Sequence, residues 1–420
     1  LKTNIGYGFS TQELNVPDSM VMGVLNTNPI EVGLTGSEEV KRSLENPIGT
    51  KKLRDIITPG EKIVIITSDI TRPVPSYKII PVILDELYEN GIKKEDIKVI
   101  LALGSHREHT DEEKVRLLGE RVVNEVECID SDSKDCVRMG ETKAGTPVDI
   151  FRAVADADRR ICVGNIEYHY FAGYSGGAKA IMPGVSTPSA IQANHSKMIM
   201  DDARAGKLEG NPVREDLEEA INYCPIDFIV NVVLDENKEI IYSVAGDHIE
   251  AHRVGCKFLD RIYKKIIGEK ADIVIVSQGG APKDLNLYQT HKALDNAKHG
   301  IKDGGIIILV GSCIEGFGSK IFEEWMTEAK SPDELIIRIR ENFTLGGHKA
   351  AAIALVQKKA KIFLVSEMKP EIVKSIFMEP YTNLQQAFDD AIEILGKDVK
   401  VLIMPNGGST LPVLENKSEE

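Results

Sequence analysis

The sequence predicts an α/β protein: two α/β domains with mainly parallel sheets and an active-site cleft between them. Three observations carry that expectation. Short β-branched runs recur along the chain, and segments of helical period separate them. At 420 residues the chain is also longer than one hydrophobic core ordinarily serves. Strand–helix alternation of this kind gives parallel sheets covered by helices on both faces.

Taken in order, the strands expected in the first half are "KIVIIT" (62–67), "IKVILALG" (97–104), "RRICVGN" (159–165) and "DFIVNVVLD" (227–235). The second half offers "ADIVIVS" (271–277), "GGIIILVGS" (304–312), "KIFLVSE" (361–367) and "VKVLIMP" (399–405). Helical spacing of apolar residues marks 76–90. A capping box, Thr110 with Glu113, opens a helix over 110–119 that a glycine closes. A longer amphipathic helix is expected over 246–267. The domain boundary is set near 266–270, where "IIGEKADIVIVS" leaves a charged helix for a fresh strand. That gives an N-terminal domain over 1–268 and a C-terminal domain over 269–420 closing over the substrate, with the hinge between them.

Hydrophobic residues at 42% and charged residues at 28% are the composition of a soluble globular chain. A net charge of −14 argues against nucleic acid and anionic membranes as partners, because the general field repels phosphates. Six cysteines without a C-x-x-C pair suggest reduced, structural thiols. With no signal-like N-terminal segment and no apolar run of membrane length, a cytoplasmic location is expected.

Open α/β sheets bind ligands beyond the carboxyl ends of their strands, so the residues there bear the chemistry. The first strand runs into "SDITRP", bringing Asp69, Ile70, Thr71 and Arg72. The second runs into "GSHREHT", with His106 and His109. The third leads to "EYHYFAGYSGGAKAIMPGVS", with His169, Gly176, Gly177 and Lys179, followed by Asn194 and His195. The strand over 271–277 leads to "DLNLYQTHKAL", with Tyr288, Gln289, His291 and Lys292.

Singly, each has an ordinary structural explanation: Asp69 a turn or cap, Arg72 a surface charge, His169 a semi-buried ring among aromatics, Lys179 a solvated helix lysine. Together they describe a site. Counting from Gly173, Ala178 stands where a nucleotide-binding P-loop requires glycine, and Ala180 follows Lys179 where it requires Ser or Thr. "GYSGG" still suits close backbone approach and a single phosphate. Cationic neighbours and a nearby helix N-terminus would depress the Lys179 amine. Histidines on several loops suit proton transfer or Zn and Ni ligation, and Arg72 and Lys292 suit carboxylate anchoring. A metal-dependent (Zn or Ni) enzyme acting on a small carboxylate, without an organic cofactor, and a non-catalytic nucleotide-binding protein remain alternatives on these residues alone.

These motifs resemble the nickel-dependent lactate racemase family over essentially the full chain; the third is the most specific, with His169, Lys179 and His195 in the family's order and spacing. The resemblance implies an isomerase, a racemase or epimerase of a 2-hydroxy acid (lactate or a larger relative). It implies nickel in a pincer nucleotide, pyridinium-3,5-bisthiocarboxylic acid mononucleotide, attached covalently to Lys179, with His195 as the protein ligand to the metal. It implies His106 and His169 as the acid/base pair, with hydride passing reversibly between substrate and cofactor. Arg72 and Lys292 would hold the carboxylate, and Asp69, Ile70, Thr71, Tyr288, Gln289, Gly176 and Gly177 would line cofactor or substrate. Enzymes that build the cofactor are implied as partners. One departure stands out. Lactate-acting members present a tryptophan near the substrate, yet the sole tryptophan here is Trp325, in an ordinary helical segment. The region where that residue is sought reads "TLGGHKAAAIA", and His348 and Lys349 there suggest a larger acid with a second carboxylate or hydroxyls.

Overall fold

Each of the expected β-branched runs forms a strand. In the first half they are Ile63–Ser68, Ile97–Ala102, Arg159–Asn165 and Phe228–Leu234. In the second they are Ala271–Ser277, Ile301–Val310, Lys361–Val365 and Val401–Met404. Their residues are buried nearly throughout, which is why the sequence reads as continuous apolar runs and not as an alternation. The structure, a computed structural model, describes residues 1–415. It divides into two compact units: Ile30–Arg261, and Leu1–Pro29 together with the chain from Ile262 onward.

In the unit Ile30–Arg261 one six-stranded sheet runs in the order Ile240–Gly246, Phe228–Leu234, Arg159–Asn165, Ile63–Ser68, Ile97–Ala102, Glu127–Asp130. All neighbours are parallel except the first pair. The chain starts at Ile63–Ser68, builds outward through Ile97–Ala102, and returns to Arg159–Asn165 on the other side. The strand order therefore reverses beside Ile63–Ser68, where an open α/β sheet leaves a crevice at its carboxyl edge. Ile65, Val99, Ile161 and Val230 form the core beneath, with Ile79, Ile83 and Leu87 of the helix Ser76–Glu89 packed on it. The helix Asp111–Leu118 carries the expected capping box, Thr110 and Glu113 satisfying each other's backbone N–H groups.

The other unit has its own six-stranded sheet, all parallel, in the order Glu379–Tyr381, Lys361–Val365, Ile301–Val310, Ala271–Ser277, Val401–Met404, Val21–Val24. That edge strand corrects the expected division into 1–268 and 269–420. Residues 1–29 belong with the C-terminal unit, to whose core the hairpin Lys2–Tyr7/Ser10–Asn15 contributes Ile5, Tyr7 and Leu14. A second correction concerns the helix expected over 246–267. It ends at Tyr263, and Lys264–Ile267 is a strand parallel to Leu411–Leu414. Two adjacent isoleucines, Ile266 and Ile267, favour extended backbone there. Among the described residues no helix is long and apolar enough to cross a membrane.

Candidate active site

The central strand Ile63–Ser68 empties into Asp69–Arg72. Asp69 is buried, and its Oδ1 accepts from the Thr71 N–H at 2.8 Å and the Thr71 hydroxyl at 2.5 Å, folding the loop back as an Asx turn. A second clamp comes from the neighbouring loop. His109 Nε2 accepts from the Ile70 N–H at 3.0 Å, while its Nδ1 lies 2.6 Å from Asp130 Oδ1. A backbone N–H can only donate, so Nε2 carries the lone pair and Nδ1 the proton given to Asp130. Arg72 is exposed, and among the described residues no carboxylate pairs with its guanidinium, which leaves it suited to an anion.

His106 follows the strand Ile97–Ala102, with Nδ1 3.7 Å from Asp69 Oδ2. Burial lowers its pKa below 6.5; Asp69 opposes that shift and Arg72 adds to it. His169 comes from the far side of the central strand, on the small hairpin that pairs Tyr168–His169 with Gly173–Tyr174. Its Nδ1 accepts from the Ala172 N–H at 3.2 Å, so the neutral ring carries its proton on Nε2. Burial, then the charges of Lys179 and Arg72, hold its pKa well below 6.5.

Phe171, at the tip of that hairpin, gathers the rest. Its ring meets His169 edge-on at 4.4 Å and His195 at 4.9 Å between centroids, and Lys179 Nζ lies 5.8 Å from its centre. The Lys179 amine is held well below its ordinary value by burial first, then by Arg214 and Arg72. Burial and two cations lower the basicity of this amine, with Glu167 opposing, and that favours its use as a nucleophile.

The Gly-rich turn is held against its own scaffold. The Gly177 N–H donates to Asn231 Oδ1 at 2.8 Å, and the Ser175 N–H to the Glu167 carbonyl at 2.9 Å. The turn's carbonyls are held too. Fully buried Arg214 donates to Ala172 O at 3.1 Å, to Tyr174 O, and to Gly176 O at 3.5 Å. His252 Nε2 lies 2.8 Å from Ser175 O. Gly176, at φ +76°, has no room for a Cβ, which would stand 2.7 Å from Asn231 Oδ1. Gly176 and Gly177 thus let the turn be clamped against its own scaffold, and the clamp fixes where Lys179 emerges.

His195 ends the helix Pro188–His195 and is buried, its Nδ1 2.8 Å from Asn194 Oδ1. Among the described residues no three His, Cys, Asp or Glu side chains converge in a metal-binding cluster.

The structure thus places Asp69, Ile70, Thr71, Arg72, His106, His169, Gly176, Gly177, Lys179 and His195 in one unit. Tyr288, Gln289 and Lys292 lie in the other unit, on the first turns of the helix Leu287–Ala297, capped by Asn286 accepting from the Gln289 N–H at 3.0 Å. Tyr288 and Lys292, four apart, share a face, and Lys292 is exposed. The Lys349 ammonium donates to Tyr288 O at 2.7 Å and lies 3.5 Å from the centre of its ring. That bond ties Lys349 to Tyr288. Trp325 is buried beneath Gly347, with the Arg338 guanidinium 5.1 Å from its ring.

Phe171, Arg214, Asn231 and His252 are supports that sequence reasoning missed. Arg214 and Asp216 sit in "NPVREDLEEA", a charged string that reads as a solvated helix face. Its one usable signal was the Asn-Pro start, since Asn211 caps the helix Pro212–Glu219 and also donates to Phe171 O at 2.9 Å.

Comparison with known proteins gives a consistent result. The family model described as the lactate racemase N-terminal domain matches residues 7–206, and that of the lactate racemase C-terminal domain matches 266–411. A lactate racemase of Thermoanaerobacterium thermosaccharolyticum is 36% identical over 419 residues, 97% of this chain and 98% of that protein. One from Lactiplantibacillus plantarum is 36% identical over 384 residues, 89% and 90% of the two chains. The solved lactate racemase apoprotein of T. thermosaccharolyticum superposes with a TM-score of 0.88, covering 98% of this chain and all of that one (100%). A crystal structure of a Thermotoga maritima protein, 19% identical with a TM-score of 0.63 and covering 91% and 100% of the two chains, shares the fold.

Proposed function

The chain belongs to the lactate racemase family, and from that premise we propose that it racemises or epimerises a 2-hydroxy acid, lactate or a larger relative, with a nickel-pincer nucleotide attached to Lys179. The observation that carries this reading is the gathering of Lys179, His169 and His195 about the Phe171 ring, at 5.8, 4.4 and 4.9 Å. These residues fit such a group. Lys179 offers an amine without a carboxylate partner among the described residues, its basicity lowered by burial and by Arg214 and Arg72. His195 offers one buried imidazole, which suits a metal that arrives with most of its ligands already in place. When bound, the group supplies the acceptance and return of hydride at the hydroxyl-bearing carbon.

What remains for the protein is binding, orientation and the hydroxyl proton. Arg72 presents a planar donor fork for a carboxylate, and Tyr288, Gln289 and Lys292 keep the cofactor- and substrate-lining roles the resemblance gives them. Mirror-image substrates present the hydroxyl on opposite sides, so each configuration needs its own base. His106 and His169 leave the two strands flanking Ile63–Ser68, one on either side of the Asp69–Arg72 loop. Asp69 Oδ2 lies 3.7 Å from His106 Nδ1, beyond hydrogen-bond reach, whereas His169 Nδ1 is occupied by the Ala172 N–H, which leaves Nε2 as the His169 atom that exchanges a proton. The lowered pKa values keep both rings neutral at pH 7.

The test is the intact mass of protein from a host that makes the cofactor, with peptide mapping around Lys179 and chiral analysis of lactate turnover. A sulfur-containing nucleotide on Lys179 with nickel alongside, and interconversion of the two lactates, are expected. Unmodified Lys179 in fully active protein would sink the reading. Because the two enantiomers are equal in free energy, kcat/KM is the same in both directions. Loss of either histidine (His106→Gln or His169→Gln) is therefore expected to slow both directions together, by about 10²-fold or more.

A further inference from the structure

The helix Pro212–Glu219 contributes Asp216 to a buried network that reaches His195 through one intermediary. Asp216 Oδ1 accepts from the Thr142 hydroxyl at 2.6 Å. Its Oδ2 accepts from the Thr146 hydroxyl at 2.6 Å, Asn194 Nδ2 at 2.7 Å and Lys197 Nζ at 3.0 Å. Burial would raise this carboxyl's pKa, but the hydrogen bonds together hold it below 3.8, so it is an ionised acceptor. An ionised carboxylate can only accept, and the Val213 carbonyl, 3.1 Å from the same Asn194 nitrogen, can only accept as well. Both partners demand the NH2 end of the amide. Asn194, completely buried, is thereby prevented from flipping, and its Oδ1 is the atom that faces His195 Nδ1 at 2.8 Å. An amide oxygen can only accept, so the proton lies on the ring.

We propose that Asp216, acting through Asn194, fixes His195 as the Nδ1–H tautomer, so that Nε2 bears the lone pair the ring offers to a metal ion. Asp216 and Asn194 are positioning residues, doing through an amide what a carboxylate or carbonyl does directly behind many metal-bound histidines. The geometry stands on this chain's own atoms; its purpose rests on the reading of His195 as the nickel ligand.

The test begins with metal-free protein labelled with 15N-histidine. Long-range 1H–15N correlation reports which ring nitrogen is protonated, with His195 assigned by its loss in His195→Ala. The expected pattern is Nδ1–H in the wild type, giving way to a mixed pattern in Asn194→Leu and Asp216→Asn. Thr146→Val, which removes a different bond to the same carboxylate, should leave it intact. A wild-type ring protonated on Nε2 overturns the proposal whether or not any variant folds, and so does an unchanged ring in Asn194→Leu. In cofactor-loaded protein, chelator-driven nickel release is expected to speed up by about 10-fold or more in Asn194→Leu. Equal acceleration in Thr146→Val would assign the effect to general loosening and overturn the proposal. Wild-type nickel retention in His195→Ala would instead refute the ligand role of His195, while the tautomer spectrum separately decides the relay.

Discussion

His109 is held between a backbone N–H that can only donate and a carboxylate that can only accept, so neither its tautomer nor its rotamer is free. The ring is 1% exposed, and what it holds is the Asp69–Arg72 loop. His109→Ala leaves the Ile70 N–H without its acceptor and Asp130 without its short partner, at a cost of about 1–3 kcal/mol. Urea unfolding is expected to show that loss, and weaker binding of a 2-hydroxy acid should accompany it because Arg72 is no longer pinned. Unchanged stability would remove His109 from the loop's support. Arg214 makes the stronger case. Burial pushes its guanidinium down to about 10, yet it bonds to three carbonyls of the turn that carries Lys179. Glu218 would not be orphaned by its removal, since Arg253 also reaches both Glu218 oxygens, at 2.7 and 2.9 Å. The expected loss in Arg214→Met, about 2–5 kcal/mol, therefore comes from unpaired carbonyls. With Arg214 gone, the Lys179 amine should also become more basic, which competitive amine labelling of metal-free protein measures. Residues with a chemical signature were readable from sequence: His106, His169, Lys179 and His195 stand out in their motifs. Their supports were not. Arg214 and Asp216 are two charges in a charged string, and only the fold turns them inward.

At the scale of elements, the turn over Gly173–Gly177 shows why a motif that nearly matches a P-loop does something else. The Ser175 and Gly177 N–H groups are taken by the Glu167 carbonyl and Asn231, and the Tyr174, Ser175 and Gly176 carbonyls by Arg214 and His252, so the glycines serve close packing. A paired substitution separates the two costs of glycine replacement. Gly145 has φ +79° with open space around it, whereas Gly176 has φ +76° with Asn231 against it. Gly145→Ala should cost about 1 kcal/mol for the left-handed backbone alone. Gly176→Ala should cost clearly more and shift Lys179, and equal destabilisation by chemical unfolding would show that the turn is not clamped. The strands were legible because two-sided burial makes them continuous apolar runs. Val21–Val24 was not, being four residues with a glycine inside, and its pairing partner Val401–Met404 lies nearly the whole chain away. Missing it misassigned residues 1–29. Sequence distance hides a parallel edge strand far better than it hides a hairpin.

For the molecule as a whole, the buried imidazoles set its response to acid. His169 and His252 are held well below 6.5 by burial first; Lys179 next disfavours the charged form of His169, and Arg214 that of His252. In the other unit His291 is lowered by burial and then by Lys349. A folded-state pKa below the unfolded value means that the unfolded chain binds the proton first. Stability is therefore complete above about pH 6.5 and falls as the pH drops below it, until the folded-state values are reached. Each group contributes a slope of up to about 1.4 kcal/mol per pH unit, and the pair in the unit Ile30–Arg261 up to about 3. The opposing trend is weaker. Protonation relieves the net charge of −14, but those surface charges are spread out and screened by salt. Denaturant midpoints should accordingly fall between pH 7.5 and 5.5. His252→Gln retains an N–H for the Ser175 carbonyl but cannot titrate, and it should flatten the slope for its unit by up to about 1.4 kcal/mol per pH unit. A pH-independent midpoint in the wild type would mean that these rings are hydrated and ordinary. The same depressed basicity that keeps His169 neutral and able to exchange its Nε2 proton in turnover would then be lost as well, and activity would fall near pH 6.5 instead of persisting below it.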